Sequence, residues 1–198
     1  MPSLDYQVGA SADDADQSNT GSTSITRTPL LNTDGADEWN GWRFQNVTIP
    51  DGATITSAYL TLYFTSSTSD EPDVTIYGAN KGASGGPFSE AQNNITNRAR
   101  TTASVDWGSA NLGAPGWFDT SDLSTIVQEL IDSYSYASGA QMVFVWKSRA
   151  NDSARDTSVQ SYDGDSSLAA KLHIEYTEGG GGASAVPAIM HHYKLLSQ

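Results

Sequence analysis

The sequence predicts an all-β sandwich with one crossover helix. Three observations carry this. Several segments alternate apolar and polar residues with period two, only one segment has helical period, and Gly, Pro, Asn and Asp punctuate the chain between them. The clearest strand runs from Thr54 to Phe64 after the turn Pro50-Asp51-Gly52. Alternation puts Ala58, Leu60, Leu62 and Phe64 on one face and Ser57, Tyr59, Thr61 and Tyr63 on the other. Asp73–Gly78 is a short strand after Pro72. Gln141–Trp146 is apolar throughout, as a central buried strand would be. Ala170–Tyr176 alternates again, with Leu172, Ile174 and Tyr176 inward and His173 outward. Trp42–Val47 is a further candidate, and weaker strands are expected near Leu4–Val8, Ser22–Arg27 and Thr157–Tyr162. The expected core includes Leu60, Leu62, Phe64, Ile76, Ile126, Leu130, Val143, Val145, Leu172 and Ile174.

The helix is expected at about 121–135. Leu123, Ile126, Val127, Leu130, Ile131 and Tyr134 fall on one stripe, Ser121 and Asp122 stand at its start, and Gly139 closes the region.

Composition narrows the function classes. The 198 residues carry 23 acidic and 10 basic side chains, a net charge of −13, which repels phosphate backbones and anionic membranes. There is no cysteine, so neither a disulfide framework nor a thiolate metal site is available. The start Met1-Pro2-Ser3-Leu4-Asp5 has no basic stretch and no apolar run, so no signal peptide is expected. Phosphate-loop, nucleophile-elbow and zinc-protease motifs are missing, and the chain reads as a non-enzyme.

Three zones follow one another: a sandwich at 1–177, a glycine linker at 178–182 and an apolar tail at 183–198. Four successive glycines lose too much backbone entropy to order alone. The tail places Val186, Ile189, Met190, Tyr193 and Leu196 on one face of a helix that Pro187 would start, and this reads as a partner-binding segment. Folding back onto its own sandwich is the alternative. The adjacent His191 and His192 point opposite ways in an extended chain and suit a metal poorly.

Two sets of side chains are candidates for ligands. Trp39 and Trp107 lie in polar context, where a flat ring could stack on the C–H face of a sugar; otherwise they close the sandwich ends. Trp146, in its apolar run, reads as core. Asp14, Asp16 and Asn19 offer alternate oxygens for a structural calcium, the alternative being a solvated loop. Further acids cluster at Asp34, Asp37 and Glu38 and at Asp163 and Asp165. Arg98, Arg100, Arg149 and Arg155 read as surface ion-pair partners.

The order of motifs has a resemblance. An Arg43-Phe44 strand precedes Ile49-Pro50-Asp51-Gly52-Ala53-Thr54-Ile55-Thr56-Ser57-Ala58-Tyr59-Leu60-Thr61-Leu62. Next come Val74-Thr75-Ile76-Tyr77, a Trp, then Trp117-Phe118-Asp119-Thr120-Ser121-Asp122-Leu123-Ser124-Thr125-Ile126-Val127-Gln128-Glu129, and the chain closes on Ala170-Lys171-Leu172-His173-Ile174-Glu175-Tyr176. This resembles the DNRLRE-type and disaggregatase-related domains over roughly 10–177. The resemblance implies a two-sheet antiparallel jelly roll akin to carbohydrate-binding modules, at an extracellular or surface location. Where that family often has a Ser-Arg-Glu turn, this chain has Ser161-Tyr162-Asp163-Gly164-Asp165.

Fold, missing leader, absent cysteine and linked tail together lead to the expectation of a structural virion protein, a capsid-decoration or tail-associated component of a bacteriophage. Its partners would be other virion proteins or copies of itself through the tail, with a host-surface glycan as ligand and neither nucleic acid nor membrane involved. The alternative is a stand-alone carbohydrate-binding module of an extracellular protein.

Overall fold

In a computed structural model of the chain the structure describes residues 1–29, 38–65, 72–79, 85–108, 113–133, 136–149 and 158–179. Ten strands and one helix follow in order: β1 (Ser3–Gln7), β2 (Asp14–Gln17), β3 (Thr23–Ser24), β4 (Trp39–Val47), β5 (Thr54–Phe64), β6 (Asp73–Gly78), β7 (Ser104–Gly108), β8 (Gly116–Asp119), α1 (Ser124–Ser133), β9 (Ala140–Ser148) and β10 (Lys171–Thr177). They form a jelly-roll sandwich of two antiparallel sheets. The four-stranded sheet has the order β1-β10-β5-β8 and the six-stranded sheet β3-β2-β4-β9-β6-β7.

The long strands form where alternation is strongest. On β5, Ala58, Leu60, Leu62 and Phe64 are fully buried while Tyr59, Thr61 and Tyr63 remain partly open. The turn before it is closed by the Ala53 N–H donating to the Pro50 carbonyl at 3.2 Å. Gly52 occupies it with φ of 72°, a conformation that favours glycine. β9 is the central strand of its sheet, flanked by β4 and β6, and so has apolar residues on both faces.

Two buried clusters result. The main core lies between the sheets and includes Trp42, Phe44, Leu60, Leu62, Ile76 and Trp146, with Trp42 and Trp146 edge to face at 4.7 Å. The helix adds Ile126, Val127 and Leu130 to it and contacts β5, β6 and β7. The second cluster lies on the outer side of the six-stranded sheet, where Phe88 and Ile95 cover Ala15, Val143 and Val145. Gly41 of β4 sits beneath Phe88, and a Cβ there would come within 2.5 Å of that ring. The ten expected core residues are all buried, although Val143 and Val145 belong to the outer cluster.

Boundaries differ from expectation in several places. α1 begins at Ser124, because Asp122 accepts from the Ser124 N–H at 3.2 Å while also holding the Ala58 N–H at 2.9 Å. That second bond ties the helix start to β5. Asp14–Gln17, expected as a loop, is a strand with every residue buried. The segment near Thr157–Tyr162 makes a single bridge, Val159 to Phe64. Tyr134, Arg155, Asp34, Asp37 and the tail residues Val186, Ile189, Met190, Tyr193 and Leu196 lie outside the described residues.

Candidate functional site

The outer face of the four-stranded sheet gathers aromatic and carboxylate side chains from four strands. The pairing makes this possible. Lys171 lies opposite Thr61 and His173 opposite Tyr59 between β10 and β5, while Tyr63 lies opposite Trp117 and Thr61 opposite Asp119 between β5 and β8. β1 adds Asp5 opposite His173. Every second residue of these strands points away from the core, so the whole set shares one surface.

Two aromatic pairs mark the face. Tyr59 and His173 stack with ring centroids 4.8 Å apart and planes at 25°. Tyr63 meets Trp117 edge to face at 5.4 Å. The Lys171 ammonium lies 4.1 Å from the Trp117 ring centroid. His173 Nδ1 is 2.7 Å from Asp5 Oδ1, and its Nε2 is 3.6 Å from Glu175 Oε1. Thr61 donates its hydroxyl to Asp119 Oδ1 at 2.6 Å. Partial burial raises the Tyr59 phenol above its ordinary pKa, and the negative charges of Asp119, Asp5 and Glu175 add to the rise. The rings are thus held rigidly on strands, partly exposed, and ringed by polar groups able to accept hydrogen bonds.

The residues expected to bind sugar lie elsewhere. Trp107 is 4% exposed and packs in the main core, 6.0 Å from Phe64 and 6.1 Å from Trp146. Trp39 is 8% exposed on the outer side of the six-stranded sheet, stacked beside Tyr77 with the Arg100 guanidinium 4.9 Å from its ring centre. Neither presents an open ring face. Their polar sequence neighbours point to the opposite side of a strand, which local context does not reveal. Trp146 is core, as expected.

The expected calcium set does not come together. Asp14 and Asp16 lie opposite Trp42 and Asn40 of β4 and face the interior, whereas Asn19 is exposed in the turn beyond β2. Asp14 accepts from the Tyr162 N–H at 2.7 Å, and Asp16 pairs with Arg27 at 3.2 Å. The second oxygen of each is buried without a hydrogen bond among the described residues. Burial pushes the Asp14 carboxyl up to about 7 against the lowering effect of the Tyr162 N–H, with Asp163 and Asp13 adding to the rise. Asp13 turns to the outer side, held by Arg43 at 2.5 Å and Gln45 at 2.7 Å. Among the described residues no three His, Asp or Glu side chains gather as metal ligands, and calcium needs six or more oxygens.

The arginines divide. Arg149 pairs with Asp73 at 2.5 Å and with Asp106. Arg98 is buried rather than on the surface, and its guanidinium donates to the carbonyls of Gly86 (2.8 Å), Pro87 (2.9 Å) and Asn94 (3.2 Å) while stacking over Phe88.

The fold and this face define a jelly-roll β-sandwich with an aromatic, partly open outer sheet. No family model matches the chain, and no curated protein matches it. Among solved structures it is similar to a family 35 carbohydrate-binding module from Cellvibrio japonicus Abf62, at 10% identity, covering 90% of this chain and 98% of that one, with a TM-score of 0.37. It is likewise similar to a family 35 carbohydrate-binding module from Clostridium thermocellum, at 11% identity, with coverage of 87% and 98% and a TM-score of 0.35. Neither likeness speaks for a bacteriophage origin, and neither is to a DNRLRE-type domain.

Proposed function

We propose that the domain binds glycan without turning it over, through the outer face of the four-stranded sheet. The observation that carries this reading is the set of partly exposed rings of Tyr59, Tyr63 and Trp117 fixed on paired strands beside Asp5, Asp119, Lys171 and His173. A ring face complements the C–H face of a pyranose, and flanking carboxylates and hydroxyls accept from or donate to its hydroxyl groups. The acids are engaged sideways, Asp119 by Thr61 and Asp5 by His173, which suits positioning of hydroxyls rather than proton transfer. Calorimetric titration with neutral and acidic oligosaccharides tests it. Trp117→Ala and Tyr59→Ala should each weaken binding at least tenfold without lowering the melting temperature by more than a few degrees. Unchanged affinity in both variants rejects this face.

Attachment to a larger assembly, such as a virus particle, is the second reading. It is favoured by where the chain leaves the sandwich. Beyond β10, Gly179 passes the Pro50–Ala53 turn so closely that a Cβ would lie 2.0 Å from the Gly52 carbonyl oxygen. Gly179 is the first of four consecutive glycines, and from that turn the apolar 183–198 segment would reach a partner. Removing 179–198 should leave the melting temperature unchanged and abolish particle or oligomer association. A truncated protein that still associates would sink it.

A further inference from the structure

We infer that a second saccharide site lies on the opposite side of the sandwich, in a cleft of about 370 Å³ within the 85–98 segment. The inference adds a site to the glycan-binding reading above and is tested independently of it. Gly86, Pro87 and Ala91 give the cleft an apolar wall, and Gln92 and Asn97 give it carboxamides. The segment packs Phe88 and Ile95 onto the outer side of the six-stranded sheet, so the cleft faces away from the Trp117 surface.

The cleft is held in shape from within. Arg98 ties its two walls by donating to the Gly86 and Pro87 carbonyls on one side and to the Asn94 carbonyl on the other. Asn94 also lines the cleft, and its carboxamide is engaged by the Ser89 N–H at 3.2 Å and the Ser89 hydroxyl at 2.9 Å. Phe88 donates its N–H to the Ala12 carbonyl at 2.8 Å, anchoring the segment to the body. Preorganisation of this kind lowers the ordering cost of binding.

The lining selects the ligand class. The Arg98 charge is spent on carbonyls and buried over Phe88, so among the described residues the cleft has no open cation for a carboxylate or phosphate. Among the described residues no carboxylate lines it. The Asn97 carboxamide is exposed and makes no side-chain hydrogen bond among the described residues, and Gln92 has one long contact, 3.4 Å to the Thr20 carbonyl. A carboxamide both donates and accepts, as a sugar hydroxyl requires, and the wall of Pro87 and Ala91 suits a pyranose C–H face. The volume is at the small end of ligand pockets, roughly 300–1,000 Å³. The ligand class is therefore a neutral saccharide, entering by one or two residues. With sites on both sides, one domain would bridge two glycan strands.

Gly86 supplies the test, because a Cβ there meets nothing within 4 Å and its backbone is outside the glycine-favoured region. Gly86→Phe therefore adds a ring at the cleft wall without disturbing the body, and Asn97→Ala is the second variant should the first misfold. The probe is a panel of neutral glucose-, xylose- and mannose-based hexasaccharides, followed by the side-chain amide resonances of Gln92, Asn94 and Asn97 and the indole resonance of Trp117. The expected result is that the amides shift in wild type and in Trp117→Ala. They should shift at least fivefold more weakly, in apparent affinity, in Gly86→Phe or Asn97→Ala. Amides that stay still while the indole shifts overturn the second site and leave the first. Amide shifts that disappear in Trp117→Ala overturn its independence. No shift of either kind with any of these sugars overturns the second site, and the first is then decided by the acidic oligosaccharides of the calorimetric titration.

Discussion

The Lys171 ammonium reaches across β5 to lie over the Trp117 ring, 4.1 Å from its centre, so one face of that ring is already covered by a cation. An exposed cation–π contact is worth about 0.5–1 kcal/mol, and a ligand must displace it. Lys171→Ala is therefore expected to tighten binding of a neutral oligosaccharide by about two- to fivefold. Calorimetry on the two proteins checks this. Weaker binding in the variant would mean that the lysine contacts the ligand rather than competing with it.

Arg98 is the fastening of the 85–98 segment. Arg98→Met keeps an apolar stem over Phe88 but leaves the Gly86 and Pro87 carbonyls without their donors. A loss of about 1–3 kcal/mol is expected, since hydrogen bonds from a charged donor contribute about 1.5–3 kcal/mol and the freed carbonyls, at the cleft wall, are only partly buried. Arg98→Lys should recover little of it, because an ammonium does not reproduce the planar fork. Urea unfolding of the three proteins measures the difference, and a variant within 0.5 kcal/mol of wild type, roughly the surface-mutation range, would contradict the fastening role.

Asp14 makes stability depend on pH. Its pKa rises from 3.8 to about 7 on folding, so between these values the unfolded chain loses a proton that the folded chain keeps. Stability is full below the lower value, falls as pH rises through the window, and levels off above it. The fall is on the order of a few kcal/mol. Asp14→Asn removes this contribution, so wild type and variant should diverge between pH 4 and 8 with the variant flatter. Parallel stability curves over that range would exclude Asp14 as the source.

Leu62 is fully buried between the sheets. Leu62→Asp would bury an unpaired carboxyl and is expected to cost about 4 kcal/mol or more. By contrast Thr61→Asn, one residue along on the open face, keeps a donor beside Asp119 and should cost under about 1 kcal/mol. Thermal melts of the pair read out the strand register directly. A Thr61 variant that melts below the Leu62 variant would place the register one residue off.

What was legible in the sequence was whatever depends on a residue and its near neighbours. Alternation in 54–64 and 170–176 set which residues face inward, because a strand reverses its side chains at every step. The helical stripe at Ile126, Val127 and Leu130 likewise marked the face that joins the core. Tyr59, Tyr63 and His173 could be placed on outward faces for the same reason. That they form one surface with Trp117 and Asp5 was decided only by which strands pair, and β5 lies between β10 and β8 at large sequence separation. Asp14 and Asp16 have the composition of a solvated or ion-binding loop, yet they are buried in a strand because β4 and β3 pair with β2 on either side. Arg98 looked like a surface charge, and it is enclosed because the segment around it folds back onto Phe88 and the outer sheet. Trp39 and Trp107 have polar neighbours along the chain and apolar ones in space. Period and composition report the first kind of neighbour, and only the packing of distant strands supplies the second.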